Sequence, residues 1–133
     1  MPTPRSFSYV IVRVVPHVER EEFVNAGVIV FCAALDFLSE RIELDEARLQ
    51  AIASDADLAL IRRHLDAIPL VCAGGPPAGS IGGLSLRERW HWLVAPRSTI
   101  LQTSAPHAGL CEDPPSEIER LLARVVRGRA RRV

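Results

Sequence analysis

Between Arg87 and Thr99 the chain gathers three arginines, a histidine, two tryptophans and two hydroxyl residues: Arg87, Arg89, Trp90, His91, Trp92, Arg97, Ser98 and Thr99. A guanidinium is a rigid fork of donors that fits a carboxylate or a phosphate through two parallel bonds. Beside an indole it can also stack a planar group. Arg97, Ser98 and Thr99 follow Pro96, which stops a helix, so their donors can point off the edge of a sheet. Arg89 stands about two turns upstream on the helix that leads there. With Trp92, these residues could form an anion site for phosphate, sulfate or a partner's carboxylate. The competing arrangement keeps Arg97 inside the fold, paired with Glu112 or Asp113, and is the default of the two. Trp92 lies about 200° around a helix from Trp90. One indole should therefore pack in the core and the other reach the rim.

Arg13 interrupts the run YVIVRVV at residues 9–15. A guanidinium among aliphatic neighbours needs a carboxylate or several carbonyls around it. Glu19, Glu21 and Glu40 are the acids to expect; otherwise Arg13 opens into a pocket as an anion-binding group. Asn25 precedes Ala26 and Gly27, where its amide can bond turn backbone. If the first two strands form a hairpin, Asn25 shares a sheet end with Pro16 and the acids of residues 19–22. The ligand-binding candidates are thus Arg13, Asn25, Arg89, Trp92, Arg97, Ser98 and Thr99. His107 and Cys111 lie four apart before the last helix, a spacing that could support a thiolate. Glu112 and Asp113 oppose that thiolate, so Cys111 reads as a packing thiol. His17, His64 and His91 are scattered and give no standard metal spacing. No catalytic residue, metal or cofactor is assigned.

The wider composition narrows the function classes. The chain has 133 residues, enough for one domain, with 48% hydrophobic and 24% charged residues. Sixteen basic residues balance sixteen acidic ones, so overall charge draws the chain to neither nucleic acid nor an anionic membrane. All the basic residues are arginine, which excludes Schiff-base and P-loop lysine chemistry. Three cysteines, Cys32, Cys72 and Cys111, form no C-x-x-C and suit no disulfide framework. No apolar stretch approaches the roughly 18 residues of a spanning helix, and no signal peptide is evident. The expectation is a cytoplasmic protein with free thiols.

The elements that must position these residues follow from hydrophobic period. Residues 9–15, 26–32 and 37–44 read as strands in an antiparallel meander, the first two apolar on both faces. Asp45 caps a short helix to about Ile52. Ser54-Asp55-Ala56-Asp57 has a capping-box pattern, ahead of a helix with Leu58, Ile61, Leu65 and Ile68 on one face, ended or kinked at Pro69. Residues 74–83 hold seven Gly and Pro and read as a connector. Ser85 and Glu88 box the next helix. Residues 98–103 alternate as a fourth strand, residues 105–115 read as turns, and a last helix carries Ile118, Leu121, Leu122 and Val125. The expected fold is α+β: a mostly antiparallel four-stranded sheet with helices packed on one face. A single domain spans 1–133, its ordered core at about 7–126 and an Arg-rich tail at 127–133.

Several segments taken together carry a resemblance. They are residues 9–16 (YVIVRVVP), 19–28 (EREEFVNAGV), 86–93 (LRERWHWL), 95–99 (APRST) and 109–114 (GLCEDP). In this order they resemble the bacterial family of unknown function DUF3037, over roughly residues 7–126. The resemblance implies no defined catalytic residue, and it implies an association with HipA-like kinases. The reading favoured here is a non-catalytic protein-binding module, with such a kinase among its possible partners. Two alternatives stand beside it: a small enzyme or nucleotide- or phosphate-binding domain using Arg13, Arg89 and Arg97, and a nucleic-acid binder acting through the Arg-rich tail. A nucleic-acid partner is the least expected, because the domain is neutral outside its tail.

Overall fold

The computed structural model describes residues 3–97 and 99–128. Its central element is β1 (Arg5–Val14), flanked by β2 (Val24–Cys32), with β3 (Phe37–Ile42) beyond. All pairings are antiparallel, and Val10 sits opposite Ile29. On its other side β1 carries two short strands in succession. β4 (Leu101–Thr103) pairs with residues 12–14, and β5 (His107–Cys111) pairs with residues 5–9. Among the described residues the sheet therefore has five strands where four were expected. The extra strand falls in the stretch read as turns. HAGLC has little β propensity of its own, and it is held by pairing along the free edge of β1. Pro106, which has no N–H, separates the two pieces. Ser104 bridges the gap: its hydroxyl accepts from the Ile11 N–H at 2.9 Å and its N–H donates to the Ile11 carbonyl.

The helices α1 (Glu46–Ile52), α2 (Leu58–Ala73) and α3 (Leu86–Val94) follow β3, and α4 (Pro114–Leu121) closes the order with one π turn at Leu122–Val126. Asp45 accepts from the Arg48 N–H, and Ser85 and Glu88 complete both arms of a capping box. The cap of α2 is Asp57, not Ser54. Pro69 does not end α2, which runs on to Ala73, because Val71 and Cys72 continue the buried face begun by Ile61, Leu65 and Ile68. The glycine- and proline-rich segment coils into short 3₁₀ turns at Pro76–Gly83, closed by a Gly75 N–H bond to the Gly82 carbonyl.

Both sheet faces are covered. Val10, Val12, Val14, Ile29 and Phe31 meet Ile61, Leu65 and Cys72 of α2 and Trp90 and Leu93 of α3. On the opposite face Phe7, Val28, Val30 and Cys32 meet Cys111 and, from α4, Ile118 and Leu121. The helical layer expected on one face is α2 and α3; α4 adds a second. Alternation along β2 switches at Ala26, an extra residue between the Val12–Gly27 and Arg13–Asn25 pairs. This bulge keeps Val24 and Ala26 in the α2 core while turning Asn25 to the other face. Gly27 next to it has no room for a side chain: a Cβ would come within 2.7 Å of the Arg41 carbonyl oxygen on β3.

Candidate functional site

The exit of α3 brings two of the candidates together. Pro96 ends the helix, and Arg97 turns back over its last turn. Its Nη2 donates to the Trp92 carbonyl at 2.6 Å, and its guanidinium lies 4.4 Å from the Trp92 ring centroid. The carbonyl is one of those an α-helix leaves unsatisfied at its C-terminus. Among the described residues Arg97 makes no ion pair. Glu112 stays exposed, and Asp113 accepts instead from the Ser116 hydroxyl. The expected tie to the last helix is therefore not formed, because the indole and the helix end hold the guanidinium first. The two tryptophans part as their spacing required: Trp90 is 5% exposed and stacks on Phe31, while Trp92 is 40% exposed.

Beside Trp92 and Arg97 lies a cavity of about 270 Å³ between α2, α3 and β4. Buried Val12, Ile29, Ile68 and Leu93 line its floor, and exposed His64, Trp92 and Thr99 stand at its rim with half-buried Arg97. The segment after Arg97 is fastened locally. The Thr99 hydroxyl donates to the Leu101 carbonyl at 2.8 Å, and Gln102 Nε2 donates to the Thr99 carbonyl at 3.0 Å. Ser98 lies outside the described residues, as does most of the basic tail; Arg127, inside them, pairs with Glu43 through two bonds. His64 and Gln102 were not singled out from the sequence. His64 sits at i−4 from Ile68 on the border of the apolar stripe, and Gln102 sits between Leu101 and Thr103 on an edge strand. Only the packing of α2 against β4 makes them neighbours.

Arg89 does not join this site. Its Nη1 donates to the Val71 and Cys72 carbonyls at 2.9 and 2.6 Å, and its Nε donates to the Leu84 carbonyl at 3.2 Å. It caps the C-terminus of α2, a structural use of its charge. Nearby, burial raises the Glu40 carboxyl above its ordinary value, partly offset by Cys72. Burial, and then the Glu40 charge, raises the Cys72 thiol strongly.

Arg13 and Asn25 face the other side of the sheet at directly paired positions. None of the three acids considered for Arg13 pairs with it. Its guanidinium lies 4.3 Å from the ring centroid of Phe23, which is 44% exposed. Asn25 Nδ2 donates to the Val125 carbonyl at 3.0 Å, fastening β2 to the turn after α4. Cys111 is buried in the second core, and its thiol is raised first by burial and then by Cys32, Glu117 and Asp113. His107 stacks on Tyr9 with centroids 5.1 Å apart. The residues put forward as one cluster thus divide into an open corner at Trp92, Arg97 and Thr99, an enclosed cap at Arg89, and a separate pair at Arg13 and Asn25.

An antiparallel α+β sheet with a cavity at its edge strand defines a small single-sheet domain. The family described as Protein of unknown function (DUF3037) matches residues 9–126, and the chain belongs to it. No curated protein and no solved structure matches the chain. Among the described residues, no helix is long and apolar enough to cross a membrane.

Proposed function

We propose that this chain is a non-catalytic protein-binding module. In this reading the cavity between α2, α3 and β4 receives an apolar side chain of the partner, with a carboxylate beside it on Arg97. The observation that carries the reading is Arg97 itself. It stacks on an exposed indole, has no acid among the described residues, and borders an apolar cavity. The size of the cavity argues for an anchoring side chain over a nucleotide. About 270 Å³ falls just below the roughly 300–1,000 Å³ usual for ligand pockets. A HipA-like kinase, the association implied by the family resemblance, is the partner to try first. Three free, buried cysteines suit a reducing compartment such as the cytoplasm.

N-acetyl-leucine presents an apolar side chain beside a carboxylate and serves as the minimal probe. Calorimetric titration should give saturable binding of about millimolar strength, a free energy of about 4 kcal/mol. Binding should fall away with N-acetyl-leucinamide and with Arg97→Ala. Equal binding of acid and amide would remove the anchoring role of Arg97. Saturation by inorganic phosphate in preference to N-acetyl-leucine would favour the phosphate-binding alternative.

A further inference from the structure

We propose that Arg13 and its surroundings form a second, separate anion site, on the opposite sheet face from the cavity, that takes a carboxylate side chain of a protein partner. Arg13 is held in mid-sheet, level with Asn25 on β2 and Gln102 on β4. A charge in that half-buried position calls for compensation, and the described residues give it the ring of Phe23 but no carboxylate. No carboxylate lies within ion-pair distance, and its buried Nε–H has no acceptor. Across the pair, the Asn25 Oδ1 is buried without a donor among the described residues, while its Nδ2 donates to the Val125 carbonyl. An unsatisfied buried donor is costly, so the Arg13 Nε–H calls for an acceptor that the described residues do not provide. A carboxylate is such an acceptor, whereas the Asn25 Oδ1 needs a donor and takes no part in holding it.

The surroundings fit a carboxylate on an aliphatic stem. Arg13 lines a pocket of about 370 Å³ with Val15, Val18, Glu21, Phe23 and Gln102, the last of which, on the edge strand β4, also borders the cavity of the other face. Val18 and Phe23 are exposed apolar surfaces, 39% and 44%, that a stem can cover. Phe23 holds the guanidinium plane from one side, so its fork is already oriented. Glu21 is the one acid of the lining and sits at the exposed rim in a left-handed conformation, φ 57°. Its charge opposes any incoming anion, and at the exposed rim solvent screens that repulsion. The stem also separates this ligand from phosphate, which has nothing to lay on Val18 and Phe23.

The test follows the Arg13 Nε–H resonance in the full chain labelled with ¹⁵N. The probes are acetate, N-acetyl-glutamate N-methylamide, its glutamine counterpart and inorganic phosphate. The capped glutamate should shift the resonance saturably and bind about tenfold more tightly than acetate, and the capped glutamine should leave it unmoved. Arg97→Ala should leave this binding intact, which separates the site from the cavity. Phe23→Ala, at an exposed ring, should weaken binding about tenfold or more. Arg13→Gln should abolish binding as read at the neighbouring backbone amides. Should that variant not fold, Phe23→Ala carries the test. No saturable shift up to about 50 mM, an equal shift from capped glutamine, or loss of the shift in Arg97→Ala would overturn the proposal. Equal affinity for acetate and capped glutamate would overturn the assignment to a side chain, and preference for phosphate would overturn the carboxylate.

Discussion

Arg89 and Arg97 stand eight positions apart at the two ends of one structural problem, and the protein solves it differently at each. At the α2–α3 junction Arg89 spends its donors on three backbone carbonyls, and a Cβ on Gly74 would come within 3.0 Å of its guanidinium. At the α3–β4 corner Arg97 bonds one carbonyl and lies on an exposed indole, with an apolar cavity beside it. The first region is closed, with its polar groups satisfied by the chain. The second keeps donors and apolar surface available. Whether an arginine is scaffold or anchor is therefore decided by which carbonyls come within reach, and those belong to other elements.

The largest effect should come from the closed region. Arg89→Ala should lower unfolding free energy by about 2–3 kcal/mol, since hydrogen bonds from charged donors contribute about 1.5–3 kcal/mol and do not add simply. Urea denaturation reads this, and a loss no greater than that of Arg97→Ala would erase the contrast. Cys111→Ser should cost about 1–2 kcal/mol, because it places a hydroxyl in the second core. Alkylation of native Cys111 at neutral pH should be slow; rapid modification would move it out of the closed set. Arg97→Ala should cost less than about 1 kcal/mol, in line with one exposed bond and one cation–π contact.

The smallest effect concerns pH. Burial raises the folded-state pKa of Glu40 above its ordinary 4.5, so folding disfavours its charge. The cost is fully present above the raised pKa and disappears as the pH falls below 4.5. The Glu40 contribution should therefore favour the fold increasingly as the pH falls through that window. Glu40→Gln should remove this slope and be no less stable than the wild type at neutral pH. A steeper acid loss in the wild type than in the variant would contradict the burial account.

Much of the scaffold was legible in the residues. The β-branched runs of β1 and β2 need little context, and their pairing followed from short polar connection. The helix caps at Asp45 and Ser85 are local chemistry, visible in four residues. β5 was hidden because its strand character belongs to its partner: Gly109 has no side chain to pack and sits beneath Phe7, where a Cβ would meet the ring at 2.8 Å. Pro69 misled because local propensity yields to burial on α2. Within the site, the Trp90–Trp92 division could be read from helical angle alone. The separation of Arg89 from Arg97 could not, since the carbonyls of Val71 and Cys72 approach only when α2 packs against α3. His64 and Gln102 reach the cavity through long-range packing and carry no local mark.

The most direct test of an open corner is the emission of Trp92 as the sole indole, in a Trp90→Phe background that keeps an aromatic ring against Phe31. Titration with N-acetyl-leucine should change that emission saturably, N-acetyl-leucinamide should not, and adding Arg97→Ala should abolish the response while the fold persists. An emission that stays flat, or that responds equally to acid and amide, would contradict the assignment of Arg97 as a ligand anchor.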